Sequence, residues 1–180
     1  MNSKNLAVII TLTALAVGTN YTLISLPNVK LMDFICFIGG FLFGSLAGAL
    51  IGILSWLVYG VLNPYGFVLQ VWIATIVSEA IYGVAGGFLR KANINFGGKS
   101  LGQIVFLGNI GFLLTLIYDV ITNIVYAHVI GQNLLVAMAI GAPYTLLHEV
   151  SNALLFGFCF TPLVSSFRVV GVYDIKNIGK

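Results

Sequence analysis

The chain has 180 residues, of which 59% are hydrophobic and 7% are charged, with a formal net charge of +3 and a mean hydropathy of +1.06. Soluble domains are roughly 45–50% apolar and about 25% charged, so this composition excludes a soluble domain and indicates an integral membrane protein. Little chain remains between the apolar runs, and we therefore expect one membrane domain over residues 1–180. The basic residues form no stripe, which argues against nucleic-acid binding.

The basic residues mark the expected cytoplasmic side. Seven of the eight lie in three places, which the positive-inside tendency assigns to the cytoplasm together with both termini. The eighth, Lys30, lies near Asp33 in a predicted outer loop. Two cytoplasmic positions must be separated by an even number of crossings, so the charges constrain the number of helices. The seven are Lys4 at the N-terminus, Arg90, Lys91 and Lys99 in one polar break, and Arg168, Lys176 and Lys180 after the last apolar run.

The first apolar run, residues 6–26, lies between Lys4 and Lys30 and is expected to cross the membrane once. A cleaved signal peptide is the alternative interpretation. It is disfavoured because the apolar part is long and no clear small-x-small cleavage site follows.

The next interval, between Lys30 and Arg90, requires an odd number of crossings. It holds two apolar runs, separated by the turn-forming sequence NPYG at residues 63–66. Two crossings would place Lys30 and Arg90 on the same side, so three are needed. We therefore expect the longer run to contain two helices and residues 67–89 to form the fourth crossing.

Four glycines at four-residue intervals run through the longer apolar stretch. This spacing stacks them on one helix face, where another backbone can come close. As one helix, the uncharged residues 34–62 would span roughly 43 Å, against a hydrocarbon core of about 30 Å. We predict two short helices, 31–44 and 45–62, which meet near Gly44 and Ser45. The glycines are Gly40, Gly44, Gly48 and Gly52.

Two further runs, 100–127 and 143–167, complete six crossings and return the C-terminus to the cytoplasm. Pro143 is expected to begin the last helix, because the missing N–H of proline costs nothing there. Residues 134–140 would lie along the interface after an outer turn at residues 131–133. The predicted fold is an all-α integral membrane protein, a compact bundle of six transmembrane helices with cytoplasmic termini.

Two motifs resemble nucleotide-binding or catalytic signatures but lack a required residue. Residues 97–100 end like a phosphate-binding loop, but Asn93 stands where its first glycine would be and no strand precedes it. His148 and Glu149 begin like the zinc motif H-E-x-x-H, but Asn152 replaces the second histidine and is a poor zinc ligand. We expect no enzyme activity, no metal and no catalytic cofactor. ATP, where it is used, would be bound by another subunit.

Ionisable residues inside the predicted spans are the strongest functional signal. Glu79 lies midway through its span, Asp119 in the outer half of the fifth, and His148 and Glu149 near the start of the sixth. Such groups are costly in lipid and usually face a bundle interior or a wet cavity. A structural hydrogen bond to a neighbouring helix is the alternative role for Glu79.

Polar residues around these groups fall into helical register. Asp119 and Asn123 are one turn apart, and Tyr144, His148 and Asn152 form an i, i+4, i+8 stripe. Both stripes lie at a similar outer depth and could line one cavity with the first outer loop. Aromatic faces beside a few hydrogen-bonding groups suit a polar small molecule. The predicted substrate-binding residues are Asn28, Lys30, Asp33, Gln70, Glu79, Tyr118, Asp119, Asn123, Tyr144, His148, Glu149 and Asn152.

Four segments in this order resemble the substrate-binding S components of energy-coupling-factor (ECF) vitamin transporters. Residues 26–33 read LPNVKLMD, residues 41–50 read FLFGSLAGAL, residues 63–66 read NPYG, and residues 144–152 read YTLLHEVSN. The resemblance covers nearly the whole chain. It implies a subunit of the cytoplasmic membrane that captures a vitamin or related micronutrient from outside. It also implies partners, namely a transmembrane coupling subunit and two cytoplasmic ATPases.

The resemblance also implies a partner surface and narrows the ligand. Members contact the coupling subunit through small residues four apart, usually alanines. Ala14 and Gly18 have this spacing, although the glycine departs from the pattern and packing within the bundle is the alternative. The nickel and cobalt branch begins Met-His, whereas Met1 is followed here by Asn2, so metal uptake is disfavoured. Riboflavin and cobalamin are the candidate ligands, and the acids suit a ligand with amines, a cationic ring or many hydroxyls.

A proton-coupled permease is the main alternative from another class. Glu79, Asp119 and His148 would then form its proton relay. Secondary transporters usually show an internal repeat with broken helices at the midplane, and the two halves of this chain show no convincing repeat.

Overall fold

The computed structural model describes residues 3–64, 66–92, 94 and 100–169, with side chains described as far as residue 167. These residues form six helices and no strand, which confirms the all-α prediction. The basic residues Lys99, Lys176 and Lys180 lie outside the described residues, as does the side chain of Arg168. The helices are α1 (Ser3–Thr22), α2 (Met32–Phe43), α3 (Ser45–Val61), α4 (Leu69–Lys91), α5 (Leu101–Val129) and α6 (Leu134–Val169).

Four of the six helices, α1, α4, α5 and α6, are long and apolar enough to span a membrane. The other two, α2 and α3, are apolar but have only 12 and 17 residues. At about 1.5 Å per residue they extend about 18 and about 26 Å, less than a hydrocarbon core of about 30 Å. Their short length follows from the chain reversal between them.

The reversal between α2 and α3 takes place at Gly44, as the charge pattern predicts. Gly44 has φ 99° and ψ 158°, a conformation that residues with a Cβ rarely adopt. Its N–H donates to the Gly40 carbonyl at 2.9 Å, and its own carbonyl accepts from the Gly48 N–H at 3.1 Å. One residue therefore ends one helix and begins the next.

The glycine ladder brings the backbones of α2, α3 and α4 into contact. A Cβ added to Gly48 would lie 2.5 Å from the Gly40 Cα and 2.7 Å from the Gly83 Cα. A Cβ added to Gly83 would overlap the Gly48 backbone, and one added to Gly52 would lie 2.9 Å from the Glu79 backbone. The ladder therefore packs helices within this chain.

Aromatic rings join this three-helix unit to α6. The Phe37 ring lies 4.8 Å from Phe156 and 5.9 Å from Phe160, and the Phe41 ring lies 4.9 Å from Phe160. All four side chains are buried. The core of the bundle therefore lies between α2 and α6, with α5 packed along α6.

The last helix begins nine residues before the predicted start. Pro143 lies inside α6, which runs without interruption from Leu134, so the prediction that Pro143 begins the helix is wrong. The cause is a cap at Asn133, whose Oδ1 accepts the Leu135 N–H at 2.9 Å, and whose carbonyl accepts the Ala137 N–H at 3.0 Å. A capped first turn starts the helix there, and the helix continues through Pro143 despite the missing backbone N–H of the proline.

The connections between α1 and α2, α3 and α4, and α5 and α6 lie at one end of the bundle, which we call the loop end. The Tyr21 hydroxyl donates to the Leu62 carbonyl at 3.2 Å, and the Asn28 amide donates to the Tyr144 carbonyl at 3.2 Å. These bonds tie the first connection to α3 and α6. Lys30 belongs to this end.

The other end of the bundle carries the remaining described basic residues. Arg90 donates to the Leu42 carbonyl at 2.6 Å, next to the reversal between α2 and α3. Lys4 and Lys91 lie at the same end, because α1 begins there and α4 ends there. The charges are therefore separated along the bundle as predicted, and their assignment to the two sides of a membrane stays a prediction.

Gly83→Ala is expected to destabilise the protein by about 1–3 kcal/mol, because the new methyl group must displace backbone atoms of Gly48. Thermal unfolding of the purified protein in detergent measures the effect. Gly102→Ala is the matched control, since a Cβ there meets nothing within 4 Å. Equal melting temperatures for both variants would contradict the backbone contact.

Candidate functional site

A cavity of about 520 Å³ lies at the loop end, and we call it the main cavity. Its volume is within the roughly 300–1,000 Å³ of typical ligand pockets. Trp56, Thr75 and Tyr126 contribute to its wall. Six of the residues that the sequence predicts for the site also line it: Asn28, Lys30, Tyr118, Asp119, Asn123 and Tyr144.

Two smaller cavities adjoin the main cavity at Trp56. One, of about 480 Å³, shares Asn28, Lys30, Trp56 and Tyr144 with it. The other, of about 380 Å³, shares Trp56, Val71, Thr75 and Tyr126. Trp56 therefore stands where the three compartments meet, so a ligand larger than one of them would contact its ring.

A buried cluster of charged and polar residues lies below the main cavity. His148, which is fully buried, has its Nε2 2.6 Å from Asp33 Oδ2 and its Nδ1 3.1 and 3.2 Å from the two Asp119 oxygens. Asp33 is on α2, Asp119 on α5 and His148 on α6. The histidine therefore connects three helices through their carboxylates.

Hydrogen bonds extend this cluster to α4. The Asn152 amide donates to Asp33 Oδ2 at 2.6 Å and to Thr115 Oγ1 at 2.8 Å. The Tyr82 hydroxyl donates to the same Thr115 oxygen at 2.9 Å, and Thr115 donates to the Gly111 carbonyl at 2.8 Å. We call Asp33, Tyr82, Thr115, Asp119, His148 and Asn152 the acid–histidine network.

The two contacts of His148 require at least two protons among Asp33, Asp119 and His148. An ionised carboxylate only accepts hydrogen bonds, so two ring nitrogens between two carboxyl groups require a proton on each contact. Either the imidazole is protonated between ionised Asp33 and Asp119, or it is neutral and one acid is protonated. Both forms carry one excess negative charge.

Glu79 has a different environment. Trp56 Nε1 donates to its Oε2 at 3.0 Å, and Trp72 Nε1 donates to the Trp56 carbonyl at 2.8 Å. Glu79 is fully buried, and its Oε1 has no partner among the described residues. The bond from Trp56 to Glu79 joins α3 to α4, which is the alternative, structural role considered for Glu79 from the sequence. It also holds the Trp56 ring at the cavity.

Lys30 lies over two of the aromatic rings. Its Nζ is 5.6 Å from the centre of the Trp56 ring and 4.8 Å from that of Tyr118. The Tyr118 ring packs edge-on against the His148 ring, with centres 5.6 Å apart. From the cavity inwards, the order is therefore the half-buried Lys30 ammonium, then the Trp56 and Tyr118 rings, and then the acid–histidine network.

Two predicted site residues lie away from the main cavity. Gln70 is exposed at the start of α4 and lines none of the described cavities. Glu149 lines a neighbouring groove of about 680 Å³, which shares Asp119 and Asn123 with the main cavity. The depth of a residue in a predicted span does not determine which helix face it occupies.

Ala14 and Gly18, the predicted partner-binding residues, are both exposed on α1. A Cβ added to Gly18 would meet no atom within 4 Å. Among the described residues, the alternative role of these two positions in packing the bundle therefore has no support.

Three residues of the site were missed by sequence reasoning. Thr115 lies one turn before Asp119, in the same register as Asn123, so an extended i, i+4 pattern could have found it. Tyr82 lies three residues after Glu79, again within one turn. Trp56 lies in a helix without charged residues, and no local pattern distinguishes it.

Comparisons of the chain with protein-family models, with curated proteins and with solved structures found no match. In the described part of the chain, no group of three or more His, Cys, Asp or Glu is arranged to hold a metal ion. The fold and site define a helical bundle of membrane type with a cavity at one end that is lined by aromatic and polar residues. Its function is inferred from that geometry.

Thr115→Val is expected to lower the unfolding free energy by about 1–3 kcal/mol, because the buried Tyr82 hydroxyl and Asn152 amide both lose an acceptor. Thermal unfolding in detergent measures the loss. Thr13→Val is the matched control, since the buried Thr13 hydroxyl has no partner among the described residues. If Thr13→Val were equally destabilising, the network would have no particular role in stability.

Proposed function

We propose that this protein is the substrate-binding subunit of an ECF-type importer, capturing a water-soluble vitamin or related micronutrient from outside. Partner subunits would carry out the ATP-driven uptake. The observation that carries the proposal is the main cavity, a site of about 520 Å³ at one end of a helical bundle of membrane type.

The lining of the cavity suits capture of a compact polar molecule. Trp56, Tyr118 and Tyr126 offer aromatic faces, while Asp119 and Asn123 offer hydrogen-bonding groups. These groups stand on helices joined by buried hydrogen bonds, and a rigid site loses little entropy when it binds. The volume favours a compact ligand over one as large as cobalamin.

The end of the glycine-rich segment that the structure describes caps a helix. Ser100, the last residue of the glycine-rich segment, is the N-cap of α5 and accepts the Gln103 N–H at 3.2 Å. Residues 97–99 lie outside the described part of the chain. The resemblance to S components supplies the partners as a transmembrane coupling subunit and two ATPases, with the exposed Ala14 and Gly18 on α1 as the candidate contact.

A stand-alone proton-coupled permease is the second candidate, because the protons shared by Asp33, His148 and Asp119 resemble a relay. Its third expected member is not connected to them. Within the described residues, no hydrogen bond joins Glu79 to the acid–histidine network, and Glu79 is instead bonded to Trp56. This separation favours the binding subunit.

Uptake by cells that produce this protein is expected to require the coupling subunit and active ATPases. The requirement is measured as transport, with and without those subunits, of a radiolabelled form of the small molecule that copurifies with the protein. An ATPase variant unable to hydrolyse ATP serves as the control and should abolish uptake. Proton-gradient-driven uptake in liposomes containing this chain alone would replace the proposal by the permease.

A small molecule is expected to copurify with the protein and to be identifiable by mass spectrometry. Asp119→Asn should reduce its affinity by roughly tenfold, because Asp119 lines the cavity and can bond a ligand directly. His148→Ala and Asn152→Ala should also reduce it, because they remove buried partners of the network below the cavity. Asn109→Ala is the control, because Asn109 is exposed and bonds only to its own helix. Unchanged affinity in all three variants, with folding intact, would place the site elsewhere.

A further inference from the structure

The ammonium group of Lys30 is held at the main cavity by aromatic rings. Its Nζ lies 4.8 Å from the centre of the Tyr118 ring and 5.6 Å from that of Trp56. Among the described residues, no carboxylate oxygen lies within ion-pair distance of it. The three N–H donors of the group have no carboxylate partner at hydrogen-bond distance within the described residues, and the two aromatic faces are its direct contacts.

The charge of Lys30 offsets the charge of the groups below it. Asp33, His148 and Asp119 together carry one excess negative charge, and Glu79 lies buried behind Trp56. With Lys30 in place, the charges of the lysine and of these three residues sum to zero. Its departure would leave an uncompensated negative charge on buried side chains, where charge interactions are strong.

This balance determines which ligand charge the cavity tolerates. An anion beside Lys30 would also lie in the cavity that Asp119 lines, and it would restore the excess negative charge. A cation that takes the place of the ammonium between Trp56 and Tyr118 leaves the balance unchanged. Trp and Tyr faces are the surfaces that organic cations prefer.

We propose that the main cavity selects a compact solute with one positive charge, and that the Lys30 ammonium occupies the position of that charge while the cavity is empty of solute. This inference rests on the proposed function, whose substrate class it names. Lys30 is half-buried on a flexible four-carbon stem, so rotation of its side chain is enough to vacate the position. The charge preference disfavours riboflavin, which is uncharged.

Three probes with the same pyridine ring test the preference: 1-methylnicotinamide, which is a cation, nicotinamide, which is neutral, and nicotinate, which is an anion. Each is titrated into the purified full chain in detergent and followed by ligand-detected NMR. The cation is expected to bind most tightly and the anion most weakly. Tighter binding of nicotinate than of 1-methylnicotinamide would overturn the proposal.

Lys30→Met tests the role of the lysine, because it removes the charge and keeps the length of the side chain. The variant is expected to bind 1-methylnicotinamide more tightly, on the order of threefold to tenfold, since it lacks the internal competitor. Lys30→Gln should act in the same direction. Lys4→Met, at the opposite end of the bundle, is the control and should not change the affinity.

Weaker cation binding by both Lys30 variants, or no cation binding by either variant or by the unmodified protein, overturns the proposal. Tyr118→Leu should weaken cation binding while leaving that of nicotinamide less affected, because it removes one aromatic face. Melting temperatures confirm that each variant is folded.

The binding titrations and the uptake assay together separate the cation-site inference from the proposed function. Cation binding with the expected Lys30 effect, together with uptake that does not need the ATPases, would keep the cation site and reject the importer subunit. ATPase-dependent uptake of an anionic or neutral solute, unaffected by Lys30→Met, would keep the importer subunit and reject the cation site.

Discussion

The shared position of His148 between Asp33 and Asp119 constrains most of the site. Charges buried in a low-dielectric interior are costly unless each one is paired and hydrogen-bonded, so this histidine must stand between both acids. The three residues come from α2, α5 and α6, and Asp33 and His148 are 115 positions apart in the chain. Satisfying these charges fixes how α2 meets the α5–α6 pair. Tyr118, which packs on His148 and adjoins Asp119, then has its place in the cavity wall.

A second constraint acts on the other half of the bundle. Glycine contacts bring the backbones of α2, α3 and α4 together, and the close approach at Gly52 and Glu79 sets the distance between α3 and α4. That distance lets Trp56 donate to Glu79 at 3.0 Å. Glycine packing on one side and acid–histidine pairing on the other therefore each position one aromatic ring, and the Lys30 ammonium lies over both.

The sequence was sufficient wherever a feature depends on charge counting or helical register. Charge parity located the break at Gly44, because an odd number of crossings had to fit between Lys30 and Arg90. Register placed Asp119, His148 and Asn152 together. Sequence reasoning failed where a contact in the folded chain decides the outcome. The Asn133 cap starts α6 before Pro143, and the role of Trp56 depends on Glu79 in another helix. Gln70 was predicted from its depth in a span, which does not fix its helix face, and it lines none of the described cavities.

The internal pairing of the acids changes what they mean for a ligand. Taken as separate groups, three buried carboxylates offer direct contacts to a cationic solute. In the folded chain, Asp33 and Asp119 are hydrogen-bonded to His148, and Glu79 is hydrogen-bonded to Trp56. The influence of these three carboxyl groups on the cavity is therefore mainly electrostatic. Because Asp33 lies three residues after Lys30, one short segment carries both an acid that holds the helices together and the cation at the cavity. A change at Asp33 would alter stability and binding together, whereas a change at Lys30 acts on the cavity alone and can isolate its charge preference.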